Sequence, residues 1–183
     1  MDPPGAAAKI RRFEEQILPH LPDLYRAARR LVGRVDAADL VQDTCLRAFG
    51  ALDQLRHPEA ARAWVFTILR SVFLRNAARW DPVRPTGREP DASPAPDHGH
   101  QALSSDSPLQ GALIEEARLA TQRLPIAFRE VVVLVHIGGF SYLEVAGILG
   151  VPVGTVMSRL WRARRLLRAA LCAGDPDRLE VRW

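Results

Sequence analysis

The feature that most constrains this chain is a run of 28 residues near its middle, 81–108, that contains six prolines. Glycine, serine and aspartate fill much of the remainder, and large apolar side chains are almost absent. Such a segment buries too little apolar surface to offset the entropy lost on ordering, so it is predicted to be a flexible linker. Fully stretched it would span about 95 Å, and as a coil about 30 Å. The chain is therefore predicted to carry one small module on each side of the linker.

Both modules are predicted to be helical, because apolar residues recur in them at intervals of three and four. Residues 9–80 are expected to form the first module and residues 109–172 the second, with tails at 1–8 and 173–183. The apolar positions that define helices in the first module are Leu24, Ala27, Ala28, Leu31, Leu40, Val41, Cys45, Ala48, Phe49, Leu52, Trp64, Val65, Ile68, Leu69, Val72 and Phe73. The predicted fold class is all-α, with two small helical domains joined by a flexible linker.

The strongest local pattern lies in residues 141–171 and is typical of a helix-turn-helix. Ser141 and Glu144 have the spacing of a capping box, Gly150 supplies a tight turn, and Pro152 suits the start of the last helix. If Val156, Leu160, Ala163 and Leu167 face the core, the residues left on or near the outer side are Thr155, Ser158, Arg159, Trp161, Arg162 and Arg165. Such a helix fits the major groove of DNA, although a helical hairpin with a solvated basic face has the same pattern.

The charge and hydropathy of the chain agree with a nucleic-acid partner without requiring one. The net charge is +4, and every cation except Lys9 is arginine, a bias that a GC-rich genome would also produce. The longest apolar runs fall far short of the about 20 residues that cross a bilayer. No apolar stretch of signal-peptide length opens the chain. A cytoplasmic location without direct membrane insertion is therefore expected.

No catalytic or metal site is expected from the motifs. Cys45 and Cys172 lie far apart and belong to no metal-binding cluster, and His98 and His100 stand in the linker without a further ligand nearby. Neither a phosphate-binding loop nor a nucleophile-elbow motif occurs. The chain is therefore expected to need no cofactor, to bind no small-molecule substrate and to have no enzymatic activity.

Two regions of the chain resemble the sigma factors of the extracytoplasmic function type, which direct bacterial RNA polymerase to promoters. The segment "LPIAFREVVVLVHIGGFSYLEVAGILGVPVGTVMSRLWRARRLLRAAL" is similar to the family's C-terminal promoter-binding region, most specifically over 151–165. The segments "DAADLVQDTCLRAFGALDQL" and "ARAWVFTILRSVFLRNAAR" are similar to its N-terminal region. Because both signatures occur in the family's order around a linker, the resemblance implies core RNA polymerase and promoter DNA as partners.

The resemblance also implies three functional surfaces. The residues that match the family's polymerase-binding helix are Asp39, Gln42, Asp43 and Arg47, whose spacing agrees equally with an ordinary solvated acidic face. The residues that match its surface for capturing an unstacked base at the −10 element are Leu55, Arg56, His57, Arg70, Ser71, Arg75, Asn76 and Arg79. The residues that match its −35-reading surface are Thr155, Ser158, Arg159, Trp161, Arg162 and Arg165.

Several residues leave the base preference open. Ser71 stands where family members often carry asparagine, and Met157 stands where a lysine or arginine is usual. Trp64 and Phe66 are able to stack on bases, but the helical spacing of Trp64 with Ile68 favours a place in the core.

The resemblance also implies how the activity of the protein is regulated. Minimal factors of this family are typically held inactive by an anti-sigma protein, often membrane-bound, so such an inhibitor is a further expected partner.

The alternative function is that of a stand-alone helix-turn-helix transcriptional regulator. That class normally needs a dimerisation surface or a ligand pocket in its other half, where this chain carries the polymerase-docking signature instead.

Overall fold

The computed structural model describes residues 4–77 and 108–172, and the all-α prediction is confirmed for them. The α-helices of the first module are α1 Pro4–Gln16, α2 Leu21–Leu31, α3 Ala37–Ala51 and α4 Ala61–Arg75. Those of the second module are α5 Pro108–Gln122, α6 Ile126–Val132, α7 Tyr142–Leu149 and α8 Val153–Cys172. Arg79, the His98–His100 pair, the linker before Pro108 and the tail 173–183 lie outside the described residues.

The first module is built around the apolar faces of α2, α3 and α4. Leu24, Ala27 and Ala28 of α2 are fully buried, as their spacing predicts. Phe49 of α3 instead lies at the rim of the core, 37% exposed, where the edge of the Phe13 ring meets it at a centroid distance of 5.5 Å. Helix α1, which supplies Phe13, begins at Pro4, so residues 4–8, expected to belong to a tail, are helical.

The second module winds α5 and α6 against the helix pair α7 and α8. Helix α6 widens into a π turn over Val133–Ile137, in which the Gly138 amide donates to the Val133 carbonyl at 2.8 Å. Glycine is required at 138, because a Cβ there would lie 2.7 Å from the Leu134 carbonyl oxygen and 2.8 Å from the Phe140 ring. In the described part of the chain, no single helix is long and apolar enough to span a membrane, and α7 and α8 meet that test only when joined across their bend.

The two modules pack against each other. The prediction of two modules joined by a flexible linker gave no indication of this contact. Helices α2 and α4 of the first module contact α5, α7 and the π turn of the second. Buried apolar side chains from both modules form one continuous cluster. A cavity of about 20 Å³, large enough for about one water molecule, lies at the boundary between Ala27 and Phe66 on one side and Val133 and Leu134 on the other.

Candidate nucleic-acid interface

Helices α7 and α8 form the helix-turn-helix that the sequence predicts, bent by 101° at the turn between them. The predicted capping box is confirmed. Ser141 Oγ accepts a hydrogen bond from the Glu144 amide at 3.3 Å, and the Glu144 carboxylate accepts one from the Ser141 amide at 2.8 Å. The hydrogen bonds from the side chain and backbone of Ser141 hold the pKa of Glu144 below its ordinary value. Gly150 adopts the left-handed conformation, with φ 65° and ψ 38°, that the tight turn requires.

One side of α8 is buried and the opposite side faces solvent. Val156, Leu160 and Ala163 are at most 2% exposed, and Leu167 packs partly buried against the core, as predicted. The residues predicted to read DNA all lie away from that side: Ser158, Trp161, Arg162 and Arg165 are exposed, and Thr155 and Arg159 are half-buried. The helix therefore offers three arginines and a tryptophan on a surface whose shape and charge suit a major groove.

Met157, Trp161 and Arg165 follow one another at intervals of four residues and form an exposed strip along α8. Trp161 is 58% exposed, and the Arg165 guanidinium lies 4.9 Å from its ring centroid, within the range of a cation–π contact. Met157 is 52% exposed. At position 157 the strip therefore offers an apolar contact of the kind that suits a thymine methyl group, where a cation is usual in the family that the sequence resembles.

The outer face of α3 carries the four residues that match the family's polymerase-binding helix. Asp39 and Gln42 are exposed, and Asp43 and Arg47 are half-buried. Leu46, which the sequence reasoning missed, is 65% exposed and follows Gln42 by four residues, so it lies on the same face. Single exposed leucines are common on protein surfaces. Here, however, the side chain gives an otherwise polar face an apolar centre.

The loop before α4 places Arg56 and His57 in solvent. His57 Nδ1 lies 3.2 Å from Glu59 Oε1, within the same loop. Leu55 is only 2% exposed, and its carbonyl accepts a hydrogen bond from the Arg12 side chain of α1. Leu55 therefore anchors the loop to the core, and its side chain does not face the solvent from which DNA would approach.

Helix α4 divides the remaining −10 candidates between two environments. Ser71 and Arg75, one turn apart, are exposed, and Asn76 at the end of the helix is half-buried. Arg70 faces the second module, where its Nε lies 2.8 Å from Oε1 of Glu130. The Glu130 side chain is 6% exposed, and burial raises the pKa of its carboxyl against the attraction of Arg70. Arg70 is thus held by the second module while Ser71 and Arg75 face solvent.

The aromatic side chains of α4 belong to the protein interior. Phe66 is 1% exposed, and its ring meets the Phe140 ring edge-on at a centroid distance of 4.9 Å. Trp64 is half-buried and packs against the core, as its spacing with Ile68 favours. In this arrangement, Phe66 is not accessible for stacking on a base.

Arg129 joins the two modules and was also missed by the sequence reasoning. It is 2% exposed, and its guanidinium donates to the Leu31 carbonyl at 2.8 Å and to the Leu124 carbonyl at 3.0 Å. Leu31 ends α2, where helix carbonyls lack intrahelical partners and a cation is favoured. The available signal was the charged pair Arg129–Glu130 in front of the apolar run 131–135, which indicates buried ionic groups.

In the described residues, this geometry defines a class of protein with two helical modules, the second of which carries a basic helix-turn-helix of the kind that binds DNA. Family models agree with that class, since residues 17–81 match Sigma-70 region 2 and residues 114–167 match Sigma-70 region 4. The ECF RNA polymerase sigma factor EcfG of Rhodopseudomonas palustris is 38% identical to the chain over 162 residues, covering 87% of this chain and 84% of that protein. The chain therefore belongs to the sigma-70 family, in its extracytoplasmic function (ECF) group.

Solved structures of the family resemble the chain over most of its length. The sigma factor RpoE in complex with the anti-sigma factor NepR from Bartonella quintana matches with a TM-score of 0.66 and 31% identity, covering 88% of this chain and 98% of that one. CnrH in complex with the cytosolic domain of CnrY matches with a TM-score of 0.62 and 30% identity, covering 92% and 95%. Since the family is that of polymerase specificity factors, a stand-alone helix-turn-helix regulator is no longer favoured.

Proposed function

We propose that the chain binds core RNA polymerase and directs transcription initiation at promoters that carry −35 and −10 elements. The observation that carries the proposal is the match of its two modules to the two sigma-70 regions, in the family's order. The basic outer side of α8 and the polar face of α3 support it, because each offers the surface that one of the two partners needs. We further propose that the protein acts in the cytoplasm and has no enzymatic activity of its own.

The −35 element is read by α8 in this proposal. Arg162 and Ser158 lie exposed near the N-terminal half of the helix, the part that enters a major groove in helix-turn-helix proteins. Arginine presents two parallel donors to the O6 and N7 atoms of guanine. Trp161, backed by Arg165, adds an apolar contact beside them. Thr155 and Arg159, both half-buried, support the helix and the adjacent phosphates.

The −10 element is held by the loop before α4 and by the exposed side of α4. Arg56 and His57 form the rim at which an unstacked base would be captured, and Ser71 and Arg75 line the path of the strand beyond it. Extraction of a base costs a few kcal/mol, which phosphate contacts from arginine help to offset. Position 71 carries serine where asparagine is frequent in the family. Because serine offers a single hydroxyl group, fewer hydrogen bonds from this side chain are available to a base.

The polymerase binds the face of α3 that contains Asp39, Gln42, Asp43, Leu46 and Arg47 in this proposal. The mixed charges fix orientation, and the exposed Leu46 supplies apolar area at the centre of the contact. An anti-sigma factor is the further partner that we propose. Support comes from the two solved relatives, which were determined as complexes with NepR and with the cytosolic domain of CnrY.

A reconstituted transcription reaction tests the function directly. DNA retained by the chain plus core polymerase is first selected and sequenced, and the enriched promoter is then transcribed without any other specificity factor. We expect core polymerase to initiate on this promoter only when the chain is present. Failure of the chain to bind core polymerase at all would contradict the proposal.

The docking face is tested with a matched pair of glutamine substitutions. Charge reversal at Asp43 is the obvious variant, but Asp43 is half-buried, so the exposed Gln42 gives a cleaner test. We expect Gln42→Arg to weaken polymerase capture, and Gln54→Arg, at the exposed end of the 3-10 turn after α3, to leave it unchanged. Equal capture by both variants would place the polymerase on another surface.

A further inference from the structure

The N-terminal half of α8 presents two neighbouring rows of exposed side chains. Met157 and Trp161 form an apolar row, and Ser158 and Arg162 form a polar row one residue further around the helix. The two members of each row are four residues apart and therefore lie one turn above each other on the same face. In helix-turn-helix proteins this half of the second helix enters the major groove. Both rows are therefore placed to meet base pairs.

Met157 is an apolar side chain that the core of the second module leaves half exposed. Its neighbours on the buried side of α8, Val156 and Leu160, are at most 2% exposed, whereas Met157 is 52% exposed. Methionine is unbranched and flexible, so the exposed part adapts to the shape of whatever surface it meets. The folded chain gains little from this exposed part, and its apolar surface is available to a ligand.

The chemistry of methionine limits what the apolar row recognises. A thioether carries no charge and donates no hydrogen bond, so Met157 neither pairs with a phosphate nor donates to a guanine edge. The group in the major groove that suits an apolar side chain is the C5 methyl of thymine. Cytosine carries only hydrogen at the same position, so a contact with the methyl group distinguishes the two pyrimidines. Met157 therefore suits a thymine.

The neighbours of Met157 keep this contact apolar. Trp161, one turn further along α8, is 58% exposed, and the Arg165 guanidinium lies over its ring at 4.9 Å from the centroid. Because Arg165 is one turn beyond Trp161, its charge lies at the end of the row away from Met157. In the polar row, Ser158 Oγ donates to the Thr155 carbonyl at 3.1 Å. The hydroxyl next to Met157 therefore has its donor engaged within the helix.

We propose that Met157 is a specificity-determining residue of the −35 contact, whose side chain packs against the C5 methyl group of one thymine in the major groove. This role of Met157 rests on the proposed function, because it requires α8 to enter the groove at the −35 element. Burial of one methyl group changes a binding constant about fourfold, so loss of that methyl should weaken promoter binding by this factor. Since a thioether binds no phosphate, the salt dependence of binding should not depend on Met157.

The test removes the methyl group from the DNA and the thioether from the protein in turn. Deoxyuridine replaces each thymine of the selected −35 element singly, because it pairs with adenine as thymine does and lacks only the C5 methyl. The Kd of each promoter fragment is measured with the full chain bound to core polymerase, at several salt concentrations. The chains compared are wild type, Met157→Ala, Met157→Leu and Leu166→Ala. Leu166→Ala is the matched control, since Leu166 is 44% exposed on the same helix but lies in its C-terminal half.

With wild-type factor, deoxyuridine at one position should raise the Kd about fourfold. Met157→Ala should bring the ratio of the two Kd values at that position to about one, without changing the salt dependence. Met157→Leu, which keeps an apolar side chain of similar volume, should retain most of the ratio. Leu166→Ala should keep the wild-type ratio.

Three results would overturn this role of Met157. The first is a methyl effect that is absent at every thymine with wild type, as it would also be if the selected −35 element contained no A·T pair. The second is a set of methyl effects that all persist in Met157→Ala. The third is loss of the effect in Leu166→Ala as well, since any truncation on α8 would then abolish it. Absence of specific promoter binding by wild-type factor with core polymerase contradicts the proposed function instead.

Discussion

Truncation of Leu46 to alanine measures how much the α3 face contributes to polymerase binding. The side chain is 65% exposed, so the folded chain uses little of it, and the free energy of unfolding should change by less than about 0.5 kcal/mol. Removal of its three terminal carbons costs about 2.4 kcal/mol when they are fully buried, at about 0.8 kcal/mol each. Docking newly buries only the 65% of the Leu46 side chain that is in solvent in the free chain. The expected loss is therefore about 1.5 kcal/mol, or roughly tenfold in Kd.

The assay is equilibrium binding of immobilised core polymerase to wild type, Leu46→Ala and a control, with melting curves for all three. Ile10→Ala is the control, since Ile10 is 46% exposed on α1 and is not part of the proposed docking face. We expect the Kd to rise about tenfold for Leu46→Ala and to stay constant for Ile10→Ala. An unchanged Kd for Leu46→Ala would refute the docking face. A large drop in its melting temperature would refute the view that Leu46 is idle in the free chain.

Three further outcomes are expected from the helix-turn-helix. Arg162→Ala should weaken binding to −35 duplex by about 1–3 kcal/mol if it reads a base, or flatten the salt dependence if it meets phosphate; titrations at several salt concentrations distinguish the two. Ser141→Ala should lower stability by about 1 kcal/mol in denaturant titrations at neutral pH. Because the pKa of Glu144 is depressed by Ser141, that difference should be fully present above pH 4.5 and shrink as the pH falls through the lowered pKa. Gly150→Ala should cost about 1 kcal/mol for its left-handed backbone alone, since no atom lies within 4 Å of an added Cβ, and Gly150→Asn should cost less.

The helices, and the side of α8 that faces solvent, were predictable because their signals are local. Burial of Val156, Leu160 and Ala163 follows from the 3.6-residue period alone, and the capping box needs only two residues three apart. The family resemblance then supplied predicted functional roles that the periodicity of apolar residues does not indicate, such as the binding of a polymerase to the α3 face.

The contacts between the modules were not predictable, because their partners are far apart in sequence. Arg129 meets the carbonyl of Leu31 across 98 positions, and Arg70 meets Glu130 across 60. Neither residue carries a local pattern that names its partner. The charged pair at 129 and 130 precedes an apolar run and so indicated buried ionic groups, but it did not indicate which groups in the other module they would meet.

The exposure of Leu46 and Leu55 was not predictable for a related reason: the exposure of a residue depends on what packs over it. Leu46 falls outside the apolar stripe of α3, so periodicity indicates only that it is not core and says nothing of a binding role. Leu55 falls in a loop, where apolar side chains are easily assigned to a ligand, yet its side chain is buried in the core and its carbonyl accepts a hydrogen bond from Arg12 of α1. For Leu55 the neighbours that bury it come from tertiary packing, and for Leu46 the absence of such packing leaves it in solvent.

The contact between Arg70 and Glu130 explains why a residue assigned to DNA is withdrawn from solvent in the free chain. A guanidinium that binds phosphate strongly also binds a carboxylate strongly, since both accept its paired donors. A row of such arginines would attract any polyanion if all of them were exposed. Burial makes the Glu130 carboxylate costly to ionise, so its ion pair with Arg70 can be broken at a smaller cost than that of two well-solvated charges. The raised pKa of Glu130 means that packing of the second module over this carboxyl is favoured by its protonation and is weakened as the pH rises through that pKa.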